Sequence, residues 1–97
     1  MKVKTKSGFT CEINEKKCKD WRFVKLLAQM DSEDESEQLC GTTGAVSFLF
    51  GKEGEEALMK HVTDKDGIVD GGLLLAEFKE VLQHASDEIK KSQSSQE

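Results

Sequence analysis

The residues whose spacing comes nearest to a known chemistry lie between Asp66 and Glu77. With Asp66 in the first position of a twelve-residue EF-hand loop, Asp70 takes the fifth position and Glu77 the twelfth. Loops of this kind surround Ca²⁺ with carboxylate and carbonyl oxygens. The third position is Ile68, whose side chain carries no oxygen. The sequence therefore favours a turn between two helices, with Asp70 capping the second helix, over a calcium-binding loop.

Other reactive side chains do not form a recognisable constellation. The three cysteines, Cys11, Cys18 and Cys40, contain no Cys-x-x-Cys pair, and we expect reduced thiols in a cytoplasm. The two histidines, His61 and His84, have no metal-ligand spacing between them. Chain order alone assigns no Ser-His-acid or Cys-His grouping. We therefore expect no catalytic residue, no metal and no cofactor.

Length and composition indicate one small domain. The chain has 97 residues, of which 36% are hydrophobic and 34% charged, with a net charge of -5. We predict a single domain over residues 1–91 and a disordered polar tail over residues 92–97. The negative net charge argues against nucleic-acid binding. The sequence contains no run of 18 apolar residues, so it predicts no membrane-spanning helix.

Charge is unevenly distributed along the chain. Residues 1–30 carry eight basic and three acidic side chains, whereas the remainder carries six basic and sixteen acidic ones. A basic front and an acidic rear can attract copies of one chain head to tail. The alternative is a solvated surface whose asymmetry has no role.

Hydrophobic periodicity predicts the elements that position these groups. Alternation from Lys2 to Ile13 around Gly8 indicates a β-hairpin. Helical spacing predicts helices over 15–30, 43–50 and 52–62, and a last helix whose apolar face runs from Leu74 to Ile89. The acidic run 31–37 is expected to be a solvated loop or the start of a helix. The fold class is α+β, mainly α, with the hairpin packed on a bundle of about four helices.

The first predicted helix carries two large aromatic side chains, Trp21 and Phe23. They point to different sides of the helix, so one of them is a candidate for a partner contact. We favour the interpretation that both belong to the core, because a small domain needs its large side chains for burial.

Four segments together resemble the small tail assembly chaperones of long-tailed, siphovirus-type bacteriophages of Gram-positive bacteria. The segments are KSGFTCEI, KDWRFVKLLAQM, FLFGKEGEEALMKHV and DKDGIVDGGLLLAEFKEVL. The resemblance implies a protein that is not an enzyme. It would bind the tape measure protein, keep it soluble and extended, and leave as tail tube subunits polymerise. It would act in the host cytoplasm and be absent from the mature virion.

The resemblance also directs attention to two sets of residues. Client contacts are expected from aromatic side chains, namely Trp21, Phe23, Phe48 and Phe50. Self-association into rings or spirals is expected where basic residues meet an acidic surface of the next copy, namely Lys4, Lys6, Arg22 and Lys25. The tail tube protein is a further expected partner, and neither nucleic acid nor a membrane is. The alternatives are a degenerate EF-hand-like calcium-binding module and a small acidic inhibitory protein that mimics nucleic acid.

Overall fold

The fold consists of a short hairpin followed by four helices. The computed structural model describes the backbone of residues 1–94 and the side chains of residues 1–88. Strands β1 (Lys2–Lys4) and β2 (Thr10–Glu12) pair antiparallel. Helices α1 (Glu15–Lys19), α2 (Trp21–Met30), α3 (Glu35–His61) and α4 (Gly71–Ser94) follow. The predicted fold class, α+β and mainly α with an N-terminal hairpin, is confirmed.

The single helix predicted over 15–30 is wrong, because Asp20 divides it into α1 and α2. Asp20 has an extended backbone, with φ -66° and ψ 132°, and its carboxylate accepts a hydrogen bond from the backbone N–H of Arg22. This is the geometry of a helix N-cap, which satisfies an N–H group that has no partner inside the helix. Asn14 caps α1 in the same way, by accepting from Lys16 N–H.

Helix α3 begins much earlier than predicted. Asp34 caps it by accepting from the N–H groups of Ser36 and Glu37, so the last three residues of the acidic run, 35–37, form its first turn. Gly51 interrupts it with φ 71° and ψ 176°, a conformation that favours glycine. The predicted end of a helix at Gly51 therefore marks a break between two helical segments, over 35–50 and 52–61.

Two glycines allow α2 and α3 to approach closely. A Cβ added at Gly41 would lie 2.6 Å from Gln29 Cβ and 2.8 Å from the backbone oxygen of Leu26. A Cβ added at Gly44 would lie 2.7 Å from Leu26 Cδ2. These two glycines therefore shape the α2–α3 contact, a role that no local pattern in the sequence indicates.

The core lies where the hairpin meets the helices. The hairpin region contributes apolar side chains that pack with others from α2, α3 and α4: Val3, Phe9, Ile13, Phe23, Leu49, Leu58, Phe78 and Val81. Phe50 makes edge-on contacts with Phe9 and Phe78, at centroid distances of 6.3 and 6.1 Å. Burial of this surface supplies the main driving force for folding.

Helix α4 completes the fold. It reaches Ser94 and so includes the first three residues of the tail predicted over 92–97. Residues 95–97 lie outside the described residues. Within the described part of the chain, no helix combines the length and the apolarity that crossing a membrane requires.

Candidate protein-interaction site

Helix α2 presents an apolar face to solvent. Trp21 is 72% exposed and Val24 is 40% exposed, and Ala28 on the same face is also exposed. These three positions, with Lys25, follow the i, i+3, i+4, i+7 spacing of one helix face. We call this set, Trp21, Val24, Lys25 and Ala28, the α2 surface. A groove of about 540 Å³ runs beside it and is lined by Arg22, Lys25, Leu26, Ala28 and Gln29.

Cationic side chains border the α2 surface near its N-terminal end. Arg22 donates from Nε and Nη2 to the two carboxylate oxygens of Asp20, at 3.0 and 2.8 Å. These hydrogen bonds lower the pKa of Asp20 to about 2. The Arg22 guanidinium also lies 5.2 Å from the ring centroid of Phe48. Lys17 Nζ lies 5.8 Å from the same ring and donates to the Phe48 carbonyl oxygen.

The predicted partner-binding aromatics lie in different environments. Phe23 is 1% exposed and stacks on Phe48 at a centroid distance of 5.9 Å. Phe50 is also buried, and Phe48 is half-buried beneath the two cations. Trp21 is the member of this set that has a large free surface. The expectation that both Trp21 and Phe23 belong to the core is therefore wrong for Trp21.

The predicted self-association residues fall into two groups on different elements. Arg22 and Lys25 belong to α2, whereas Lys4 and Lys6 belong to the hairpin. Lys4 and Lys6 line a groove of about 430 Å³ against α4, with Thr5, Glu80, Gln83, His84 and Asp87. The Lys6 backbone N–H donates to Glu80 Oε2 at 2.7 Å. The acids of α4 therefore lie next to the hairpin lysines, while no acid belongs to α2 itself.

The turn between α3 and α4 is held by its aspartates. Asp64 Oδ1 accepts from the N–H groups of Asp66 and Ile68, at 2.8 and 3.0 Å. Asp70 Oδ1 accepts from Leu73 N–H at 3.0 Å, so the predicted cap of the last helix is confirmed. These carboxylates accept hydrogen bonds from backbone N–H groups. This agrees with the interpretation of the segment as a turn that connects two helices.

Three apolar side chains of the same region face solvent. Ile68 is 60% exposed, Val69 is 41% exposed and Leu73 is 56% exposed. The exposed carboxylates Asp64 and Asp66 precede these side chains in the sequence, and Asp70 lies between Val69 and Leu73. We call this set the junction surface, and its members are Asp64, Asp66, Ile68, Val69, Asp70 and Leu73. It combines apolar area with negative charge.

Glu77, the twelfth position of the calcium pattern, lies in the interior. It is 8% exposed, and its Oε1 accepts a hydrogen bond from Ser7 Oγ in the hairpin turn. Its Oε2 is buried with no hydrogen-bond partner among the described residues. Among those residues no group of three or more His, Cys, Asp or Glu side chains is arranged to hold a metal ion. The geometry of Glu77 ties α4 to the hairpin.

The structure brings Ser7 and Glu77 together with His61, a grouping that chain order did not reveal. His61 Nε2 lies 2.9 Å from Ser7 Oγ and 3.8 Å from Glu77 Oε1. In a Ser-His-acid triad the acid binds the opposite ring nitrogen, whereas here acid and imidazole converge on one hydroxyl. The grouping of Ser7, His61 and Glu77 therefore connects the hairpin turn with α3 and α4.

Burial raises the pKa of the Cys11 and Cys18 thiols, which disfavours the nucleophilic thiolate.

The α2 surface is the part of the described chain that best suits a protein partner. It unites three of the sequence-predicted residues, Trp21, Arg22 and Lys25, on or beside one exposed face. Large aromatic and arginine side chains are enriched among the residues that dominate protein interfaces. A comparison of the chain with protein-family models, with curated proteins and with solved structures found no match.

Proposed function

We propose that the protein is a tail assembly chaperone of a long-tailed bacteriophage. It binds the tape measure protein, keeps it soluble and extended, and is displaced as tail tube subunits polymerise. It acts in the cytoplasm of the bacterial host and is absent from the finished virion. The resemblance of four sequence segments to this family supports the proposal. The observation that carries it is the exposed apolar face of α2 around Trp21.

A client helix with an apolar stripe is the partner that this surface fits. Trp21, Val24 and Ala28 form a linear apolar row along α2, and such a row can pack against another helix by ridges and grooves. Lys25 lies within the row and favours acidic side chains in the client. Packing against this row would cover apolar area on both proteins and so oppose aggregation of the client.

The test is co-expression with the tape measure protein of the same phage. Wild-type protein should keep the client in the soluble fraction and co-purify with it. Trp21→Ser should reduce the affinity about 30-fold or more, which corresponds to the roughly 2 kcal/mol typical of a dominant interface residue. Leu39→Ser is the matched control, because Leu39 is 66% exposed on α3 and lies outside the α2 surface.

Two results would overturn the proposal. One is a client whose solubility is unchanged by the chaperone at molar excess. The other is equal binding by wild type and Trp21→Ser, because the α2 surface would then have no part in client recognition. Mass spectrometry of purified particles provides a further check, since the chaperone should be missing from them while the tape measure protein is present.

A further inference from the structure

We propose that α3 is a two-state element, which is broken at Gly51 in one state and forms a continuous helix in the other. In the structure the segments 35–50 and 52–61 meet at Gly51, whose φ of 71° and ψ of 176° interrupt the helix. In the second state Gly51 takes helical dihedral angles, and the segment 35–50 turns away from the hairpin and α4 together with α2. We call these two arrangements the broken state and the straight state.

Two glycines of α3 are adapted to the broken state. The dihedral angles of Gly51 lie in a region that is essentially restricted to glycine. A Cβ added at Gly54 would lie 3.1 Å from Phe50 Cβ, whereas Cβ atoms four residues apart in a regular helix are about 5–6 Å apart. Alanine at either position would therefore disfavour the broken state and stabilise the straight state, because it is a better helix former than glycine.

A side-chain hydrogen bond spans the break. Ser47 Oγ donates to the carboxylate of Glu55, at 2.9 Å from Oε2 and 3.1 Å from Oε1. These residues are eight positions apart, so a rise of about 1.5 Å per residue would separate them by about 12 Å along a straight helix. One serine and one glutamate side chain do not bridge that distance. The hydrogen bond is therefore specific to the broken state.

A second contact stabilises the break from α1. Lys17 Nζ donates to the carbonyl oxygen of Phe48 at 3.1 Å. Phe48 lies in the last turn of the segment 35–50, where helix carbonyl groups have no partner within their own segment. In the straight state this carbonyl would accept from the backbone N–H of Lys52, so Lys17 would lose its acceptor. Lys17 thus acts on the broken state as a cation at a helix C-terminus does.

The segment 35–50 and α2 can move as one unit. Among the described elements, α2 packs on α1 and α3 and makes no close backbone contact with the strands or with α4. Gly41 brings α2 close to this segment. The chain enters the unit at Asp20, whose backbone is extended, and leaves it at Gly51. Both connections are non-helical residues at the ends of helical segments, which is where hinges occur.

The straight state would uncover apolar surface on the unit that carries the proposed client site. Phe50 contacts the rings of Phe9 and Phe78 in the broken state, and movement of the segment 35–50 would separate it from them. Loss of these core contacts makes the straight state a minor one in the free protein. The regulatory role of this change rests on the proposed function. A client that binds both the α2 surface and the uncovered area would favour the straight state.

Double electron–electron resonance between two nitroxide labels distinguishes the states in the full chain without a client. One label is attached to Cys40 and the other to a cysteine introduced by Lys60→Cys, and both positions are exposed. Cys11→Ser and Cys18→Ser remove the other two thiols, and circular dichroism verifies that each labelled protein folds. The labelled positions lie about 30 Å apart along a straight helix, and closer together where the helix bends between them.

Exposed and glycine positions provide the variants. Ser47→Ala and Glu55→Ala each remove the hydrogen bond across the break, and should raise the ratio of long to short distances about threefold or more. Glu56→Ala is the matched control, because it removes a neighbouring exposed carboxylate that takes no part in this hydrogen bond. The double variant Gly51→Ala and Gly54→Ala should raise the ratio at least about tenfold, because both changes disfavour the broken state.

The inference is overturned if Ser47→Ala and Glu55→Ala leave the wild-type distance distribution unchanged. It is also overturned if the double glycine variant folds and keeps the short distance. If the double variant does not fold, the two surface variants decide alone. These measurements contain no client, so a negative result leaves the chaperone proposal intact. Failure of client binding, in turn, leaves the two states of α3 intact.

Discussion

Replacement of Gly41 by alanine tests the reasoning about the α2–α3 contact. The added Cβ would lie 2.6 Å from Gln29 Cβ, 2.8 Å from the Leu26 carbonyl oxygen and 2.8 Å from the Met30 nitrogen. Carbon atoms in good contact are about 3.5–4.0 Å apart, so α2 and α3 would have to separate by about 1 Å at this point. Two of the three clashing atoms are backbone and cannot rotate away.

The magnitude follows from two opposing terms. Overpacking a close contact typically costs about 1–3 kcal/mol, and here the backbone clash places it at the upper end. The substitution recovers about 1 kcal/mol of this overpacking cost, because alanine is a better helix former than glycine. We expect Gly41→Ala to lower the free energy of unfolding by about 2 kcal/mol. For a domain of this size, the midpoint of thermal unfolding should fall by about 10 °C.

Thermal and urea unfolding followed by circular dichroism measure this change. Gly44→Ala is the matched control within the same helix, because its Cβ would meet side-chain atoms of Leu26, of which Cδ2 at 2.7 Å is the closest, and no backbone atom. Its free energy of unfolding should stay within about 1 kcal/mol of wild type, since helix propensity offsets the smaller clash. If Gly41→Ala is as stable as wild type, the close approach of α2 to α3 is not a constraint on this fold.

Three further predictions concern single side chains. Asp70→Ala should lower the free energy of unfolding by about 1 kcal/mol in urea, because the cap on Leu73 N–H is lost. Phe23→Ala should cost about 3–5 kcal/mol and Trp21→Ala less than about 0.5 kcal/mol in the same assay, since one is buried and the other exposed. Arg22→Gln should raise the pKa of Asp20 from about 2 toward its ordinary range in an NMR titration. Because that pKa lies below the value of about 3.9 in an unfolded chain, the Asp20–Arg22 pair stabilises the fold above about pH 4, and this stability is lost as pH falls toward 2.

Local signals in the sequence were enough to predict several elements. Alternation around Gly8 predicted the hairpin, and Gly51 marked a real break in the helices because its φ of 71° disfavours other residues. Asp70 was identified as a helix cap because a carboxylate at that position satisfies a backbone N–H three residues later. Each of these features depends on interactions among a few neighbouring residues, so a short stretch of sequence is enough to predict it.

Other local signals were present but were misread. Asp20 was taken as part of a continuous helix, although its side chain caps α2 and its own backbone is extended. The acidic run 31–37 could be either a loop or a helix start, and the cap at Asp34 shows that it is both, with a loop up to Asp34 and a helix from Glu35 onward. Helix boundaries that use neighbouring cap residues differ only slightly in free energy. Hydrophobic periodicity does not distinguish between them.

The sequence alone determined the fold class, the turn chemistry and the uneven charge, because propensity, capping and net charge act over short stretches of chain. Only the tertiary structure decided that Trp21 is exposed while Phe23 is buried, since the helix on which they lie exposes one face and packs the other. It also decided that Ser7, His61 and Glu77 meet, and that Gly41 lies against α2. These contacts join residues far apart in the sequence, so they depend on the path of the whole chain.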